Sequence, residues 1–248
     1  MVRLIREIGE YTSLMFKVLT RPQKRSIFLR RTLDEMDAIG LQTIGIVVVL
    51  SLFMGMAVVI QMVNNFENPI LPRYLIGYGG RESIVLEFSS TVLALIMAGK
   101  IGSNIASEIG TMRITEQIDG LEIMGVNSAN YLILPKVVAA LFFFPLLTLL
   151  SMICGIFGGY LVAVFGGLFP AYEYINGIQF DFEPFYVTYS VIKACFFGVI
   201  ITSISGYYGY YAKGNSLEVG RSSTRAVVVS SVVILIFNLM LTNLLLTK

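Results

Sequence analysis

Two ionisable side chains stand where a charge is expensive. Glu87 and Lys193 each interrupt a stretch that is otherwise apolar. A charge at a bilayer centre costs about 2.5–3.5 kcal/mol on insertion scales, so such residues face a cavity or a partner. Two chemistries follow. The residues neutralise each other as an ion pair, or Lys193 offers its ammonium to a lipid phosphate, for which it is a good point-charge partner. Lys193 snorkelling outward is a further alternative. Other reactive types are scarce. There is no histidine, and the two cysteines, Cys154 and Cys195, lie inside apolar stretches as small hydrophobes would. Asp34, Asp37, Asp119 and Asp181 do not cluster along the chain. A phosphate-cradling loop needs Gly-x-x-x-x-Gly-Lys-Ser/Thr. The nearest match, 94–101, has Ala94 for the first glycine and Ile101 for the hydroxyl residue. No catalytic, metal or cofactor site follows.

A polar segment, 108–127, carries a different kind of signal. Thr111 suits a helix N-cap. Ile114, Ile118, Leu121 and Met124 then recur at helical spacing, giving one apolar stripe. Arg113, Glu116, Gln117, Asp119 and Glu122 occupy the other faces, and Gly125 suits a left-handed C-terminal cap. The segment is either an interfacial helix that turns the chain or a helix that docks on a soluble partner. Apolar anchors with charged groups for register serve the second purpose.

The elements that must position these groups are membrane spans. The chain has 248 residues, 56% hydrophobic and only 14% charged, against about 25% charged in soluble domains. Residues 38–66, 137–172, 194–212 and 226–247 hold no charge at all. About 20 apolar residues cross a bilayer as helix. The spacing predicts spans at 40–63, 84–107, 131–165, 186–211 and 224–246, an all-α integral membrane protein. The third is long for one crossing, and Pro145 or Gly155, Gly158 and Gly159 allow either one bent span or a broken pair. Gly155 and Gly159 also form a Gly-x-x-x-Gly pair that permits close helix approach. Tyr207, Tyr208, Tyr210 and Tyr211 fit an interfacial aromatic belt. Lys100 and Glu108 fall near an end of the second span, where structural roles are expected.

Ahead of the spans, Leu4, Ile8, Tyr11, Met15 and Leu19 form one helix face, with Arg3, Arg6, Glu7, Glu10 and Lys17 around the rest. The spacing predicts a helix lying in the membrane interface, broken at Arg21-Pro22 and followed by a helical segment over 23–37. The first apolar run starts near residue 38, too late for a secretory signal. Arginine and lysine fall fourteen on one side of the proposed membrane and three on the other. The positive-inside rule then places the N-terminus in the cytoplasm and the C-terminus outside. No basic run is spaced for nucleic acid.

Three stretches carry a family resemblance. They are Gly99-Lys100-Ile101-Gly102-Ser103, then Ala106-Ser107-Glu108-Ile109-Gly110-Thr111-Met112-Arg113 with Thr115-Glu116-Gln117-Ile118-Asp119-Gly120-Leu121, and Gly220-Arg221-Ser222-Ser223-Thr224-Arg225-Ala226-Val227-Val228. They resemble the signature of the MlaE/YrbE permeases, and the likeness runs from the interfacial helix to the C-terminus. At the start of span two that family reads Arg-Glu-Phe/Leu-Gly-Pro. Here Leu86-Glu87-Phe88-Ser89-Ser90 keeps the glutamate without the arginine or the Gly-Pro pair.

The resemblance implies one permease domain over 1–248, with 1–39 as its interfacial helical segment and 40–248 as its bundle. It implies a homodimer in the bacterial inner membrane and two cytoplasmic ABC ATPase subunits that bind the ATP and magnesium. It also implies a periplasmic MCE-domain protein, a small cytoplasmic regulatory subunit, and phospholipid cargo moved between inner and outer membranes. Arg113, Glu116, Gln117, Ile118, Asp119, Leu121 and Glu122 become the ATPase-coupling helix, and Glu87 and Lys193 the headgroup charges. An ion-driven secondary transporter and a membrane-embedded lipid enzyme are the rival readings.

Overall fold

The computed structural model describes residues 2–20, 25–66, 72–167 and 170–246, with side chains from residue 5 and, after the first break, from residue 26. The expected break at Arg21-Pro22 and the side chains of Arg3 and Leu4 lie outside the described residues. Among those described, the chain is helical throughout: α1 (Val2–Leu19), α2 (Ser26–Asn65), α3 (Tyr74–Ile114), α4 (Gln117–Ile123), α5 (Ser128–Gly166), α6 (Ala171–Gln179), α7 (Pro184–Tyr210) and α8 (Ser216–Leu246). Five of them, α2, α3, α5, α7 and α8, are long and apolar enough to cross a membrane.

Each expected span is present, and all five helices are longer than the spans expected. The helical segment over 23–37 continues into the first span through a π-turn at Asp37–Leu41. The second span begins ten residues early, because Arg81 is buried inside it rather than exposed in a loop. The third is one unbroken helix through Pro145 and the glycines, so the broken pair is not formed. Within α3 the residues Ile84–Val92 and Ala98–Gly102 are π-helical.

The helices pack as two compact units. One comprises Met1–Gln42, Ala94–Phe143 and Cys195–Thr247; the other comprises Thr43–Leu93 and Phe144–Ala194.

In the first unit α3 packs on α8, and the Ser223 hydroxyl donates to the Ser103 carbonyl at 3.1 Å. α1 is fastened to this unit rather than merely laid beside it. Leu14 and Val18 are buried, and neither belonged to the expected stripe. Asn127 donates to the carbonyls of Lys17 and Thr20 at 2.9 Å each, satisfying free acceptors at the helix end. Tyr11 donates to Ser203 at 2.9 Å. Ile5, Ile8, Phe16 and Leu19 form a second apolar face that is exposed. Ile8 and Leu19 of the expected stripe stay exposed, while a face outside the stripe packs on protein.

Tyr207 and Tyr210 are likewise buried, not arrayed as a belt. Their hydroxyls bond Glu10 and Glu122, and a buried tyrosine needs such a partner.

In the second unit α2 and α5 meet backbone to backbone. A Cβ on Gly55 would stand 1.9 Å from the Gly155 carbonyl oxygen, and one on Gly158 would stand 2.2 Å from the Leu52 oxygen. Ser51 and Ser151 bond across the same seam at 2.8 Å. Gly55→Ala is therefore expected to destabilise the folded chain by about 1–3 kcal/mol, as overpacking does. Gly45→Ala, on the same helix with nothing within 4 Å of its added Cβ, should leave the detergent-solubilised melting temperature unchanged. Equal melting temperatures for the two variants would refute this seam.

Arg81 anchors α6. Its guanidinium donates to the carbonyls of Ile178 (2.7 Å), Phe180 (2.9 Å) and Asp181 (3.2 Å), and pairs with Glu82. A cation at a helix C-terminus meets the free carbonyls and the negative end of the dipole.

Candidate functional site

Glu87 and Lys193 come together in the second unit. The π-stretch Ile84–Val92 of α3 carries Glu87, and α7 carries Lys193 facing it. π-turns interrupt the regular ladder and recur at functional sites. Here the Val85 carbonyl accepts from the Ser190 hydroxyl and the Leu86 carbonyl from Lys193 Nζ at 3.1 Å. Lys193 Nζ also donates to Glu87 Oε1 at 3.1 Å and to Tyr189 Oη at 3.2 Å. It lies 4.7 Å from the centre of the Tyr189 ring.

An ammonium has three donors, and these three acceptors engage all of them. Lys193 is fully buried, whereas 41% of the Glu87 side chain is exposed. The second carboxylate oxygen of Glu87 accepts from Thr91 at 2.8 Å. The ammonium therefore orients the carboxylate, and the carboxylate is the face shown outward. Of the two expected chemistries, the geometry realises the ion pair.

The polar segment forms an elbow rather than one continuous helix. α3 runs on to Ile114, so Thr111 is inside it, and its hydroxyl donates back to the Ser107 carbonyl at 2.7 Å instead of capping. The chain then turns at Glu116, whose φ of 60° is left-handed. A non-glycine residue held there costs on the order of 1–3 kcal/mol. α4 follows and closes at Gly125, φ 77°. Val126 N–H bonds the Leu121 carbonyl (3.0 Å) and Gly125 N–H bonds the Glu122 carbonyl (2.9 Å). This is the paired Schellman closure that the glycine foretold.

The turn at Glu116 breaks the expected stripe by placing Ile114 and Ile118 on different helices. Ile118 is fully buried and Leu121 is partly covered, while Ile123 and Met124 are 87% and 71% exposed. Arg113 pairs with Asp119 at 2.7 Å and sits over the Tyr210 ring. Hydrogen bonds from Ser128 and Tyr210, both 2.8 Å, hold the Glu122 carboxyl below the usual carboxylate range and pin α4 from behind. Glu116 and Gln117 remain exposed. The elbow thus presents a rigid tip of apolar and acidic side chains.

Sequence reasoning missed a third charged group. Lys136, on α5, is 3% exposed and donates to Glu35 (2.7 Å) and Glu108 (2.8 Å). It joins α5 to α2 and α3 in the first unit. Its signal was present in the expected span 131–165, which already placed this one charge inside an apolar helix. Lys100 donates to the Gln42 carbonyl at 2.9 Å, and Glu108 pairs with Lys136, so both have the structural roles expected.

The chain resembles known proteins over nearly its whole length. The family described as Permease MlaE matches residues 32–244. A probable ABC transporter permease of Rickettsia bellii is 34% identical over 248 residues, covering 98% of this chain and 93% of that one. The intermembrane phospholipid transport system permease protein MlaE of Haemophilus influenzae is 30% identical, covering 97% and 92%. The chloroplastic protein TRIGALACTOSYLDIACYLGLYCEROL 1 of Arabidopsis thaliana is 33% identical over 231 residues, 92% of this chain and 65% of that protein. With five apolar helices able to span a membrane and a family match over most of its residues, this chain belongs to the MlaE permeases, multi-pass subunits of ABC transporters that work with a separate ATPase.

Proposed function

We propose that the chain is the membrane path of a phospholipid transporter, acting as a homodimer in a bacterial inner membrane with its N-terminus cytoplasmic. The observation that carries this reading is the end-to-end similarity to the Haemophilus permease, whose name states intermembrane phospholipid transport. The charge geometry supports it. A carboxylate held outward by a buried ammonium offers a polar anchor for a headgroup inside an otherwise apolar bundle.

In this reading two copies enclose a lipid-sized cavity open towards the outer side. Acyl chains lie against apolar residues of α2 and α3, with Glu87 and Lys193 near the headgroup. Two ATPase subunits bind ATP and magnesium and dock on the elbow at Arg113, Glu116, Gln117, Ile118, Asp119, Leu121 and Glu122. ATP-driven closure of those subunits moves the elbow and, through the continuous α3, the cavity. A periplasmic MCE-domain protein receives or delivers the lipid, and a small cytoplasmic subunit regulates the ATPase.

The reading is tested by transfer of a fluorescent phospholipid between liposomes holding the reconstituted complex and acceptor vesicles. Transfer should require ATP and the ATPase. Equal transfer without the ATPase would favour an ion-driven carrier. Glu116 makes no ion pair with another described residue, so Glu116→Arg changes the elbow's surface alone. It should cut lipid-stimulated ATP hydrolysis by roughly tenfold, the effect of losing about 1.4 kcal/mol of docking energy, without changing the melting temperature. Asp119→Arg should do the same while also setting two cations side by side at Arg113. Normal stimulated hydrolysis in both variants would remove the elbow from the ATPase interface.

A further inference from the structure

A second polar site lies in the first unit. The N-terminal half of α1, the end of α7 and the start of α8 line a half-open cavity of about 520 Å³. Three basic residues line it, Arg6, Lys213 and Arg225, and three acidic ones, Glu7, Glu10 and Glu218. Their formal charges cancel, but their pairings do not. Arg6 bonds Glu10 at 2.9 Å. Glu218 is taken by Arg221, outside the lining, at 2.6 Å. Lys213 and Arg225 are left with no ion pair or hydrogen bond to another described residue. Lys213 acts electrostatically on Glu10, whose carboxyl Arg6 foremost, then Tyr207 and Lys213, hold below the usual range.

The walls are built rather than incidental. Tyr207 donates to Glu10 at 3.3 Å, and its ring packs 5.2 Å from those of Tyr208 and Tyr211. The depth of the site follows from α1. That helix turns Ile5, Ile8, Phe16 and Leu19 outward in a protein with five apolar spans. A helix with such a face beds at the headgroup–acyl boundary. A cavity on its flank with two uncommitted cations is placed for a phosphate, which a guanidinium grips in two-pronged fashion and an ammonium as a point charge.

We propose that this cavity holds the phosphate-bearing headgroup of a membrane phospholipid through Lys213 and Arg225, at a site separate from the Glu87–Lys193 pair. The bound lipid ties α1 to α8 and stays in place irrespective of what is transported, so the proposal does not rest on the transport reading.

Native mass spectrometry of the whole transporter, gently extracted from its own membrane, tests it. The Lys213→Gln/Arg225→Gln double variant should lose one retained phospholipid per chain. Arg30→Gln, which removes an exposed cation of the same unit outside the cavity, should keep it. Washing the parent complex with millimolar inorganic phosphate should not displace the lipid. An unchanged lipid count in the double variant would overturn the site. Loss in Arg30→Gln as well would reduce it to general surface attraction and overturn it too. Displacement by inorganic phosphate would assign the cavity to a free anion and refute the lipid.

Discussion

Lys193→Met is expected to abolish most phospholipid transfer and to lower the folded yield, and Glu87→Gln added to it is expected to restore the yield but not the transfer. The reason is an asymmetry in the pair. Lys193 is fully buried and Glu87 is not. Removing the ammonium leaves the Glu87 carboxylate without its cation and the Leu86 carbonyl without its donor. Breaking a buried pair costs about 3–5 kcal/mol, and the partial exposure of Glu87 puts this case at the low end. A loss of about 3 kcal/mol corresponds to roughly a hundredfold in an equilibrium. Removing both charges leaves no stranded ion, so the two substitutions must not add. Transfer in the double variant then isolates the role of Glu87. If it returns together with stability, the pair only holds α3 to α7, and the headgroup assignment fails. If stability alone returns, the outward carboxylate acts on lipid.

The largest stability effect should come from Lys136. Lys136→Met leaves Glu35 and Glu108 facing the same buried point without their cation. At about 3–5 kcal/mol, and about 2–4 °C per kcal/mol in a chain of this size, the melting temperature should fall by roughly 10 °C. The two carboxylates are not equivalent. Glu35 is 19% exposed and Glu108 is 54% exposed, and an exposed pair contributes about 0–1 kcal/mol. Glu108→Gln should therefore be mild, and Glu35→Gln should rescue much of the loss in Lys136→Met. An unchanged melting temperature for Lys136→Met would show that the triad is not a structural tie. The prediction has a functional side as well. Glu108 lies on α3 just ahead of the elbow, so loosening it should also blunt lipid-stimulated ATP hydrolysis at temperatures where the variant is still folded.

The positions of these groups show how far residue types alone carry an argument. The absence of charge over 38–66, 137–172, 194–212 and 226–247 determined that the chain crosses a membrane, because an unpaired charge in hydrocarbon costs more than any local propensity returns. The same economy singled out Glu87 and Lys193, and the glycine at 125 determined how α4 ends, since few other residues take that backbone angle. These features depend on single residues or on windows one helix long. The start of α3 did not follow, because Arg81 read as a loop charge until its acceptors were known.

Only the tertiary structure decided which charge is buried and which is shown, since that depends on three acceptors gathered from α3 and α7 around one nitrogen. It also split the stripe over 114–124 at the left-handed Glu116 and turned Tyr207 and Tyr210 inward. It put the two uncommitted cations of α8 and its approach beside α1. Periodicity fixes which residues share a face of one helix. Which faces meet, and which buried donors find acceptors, is settled by contacts between residues far apart in the chain.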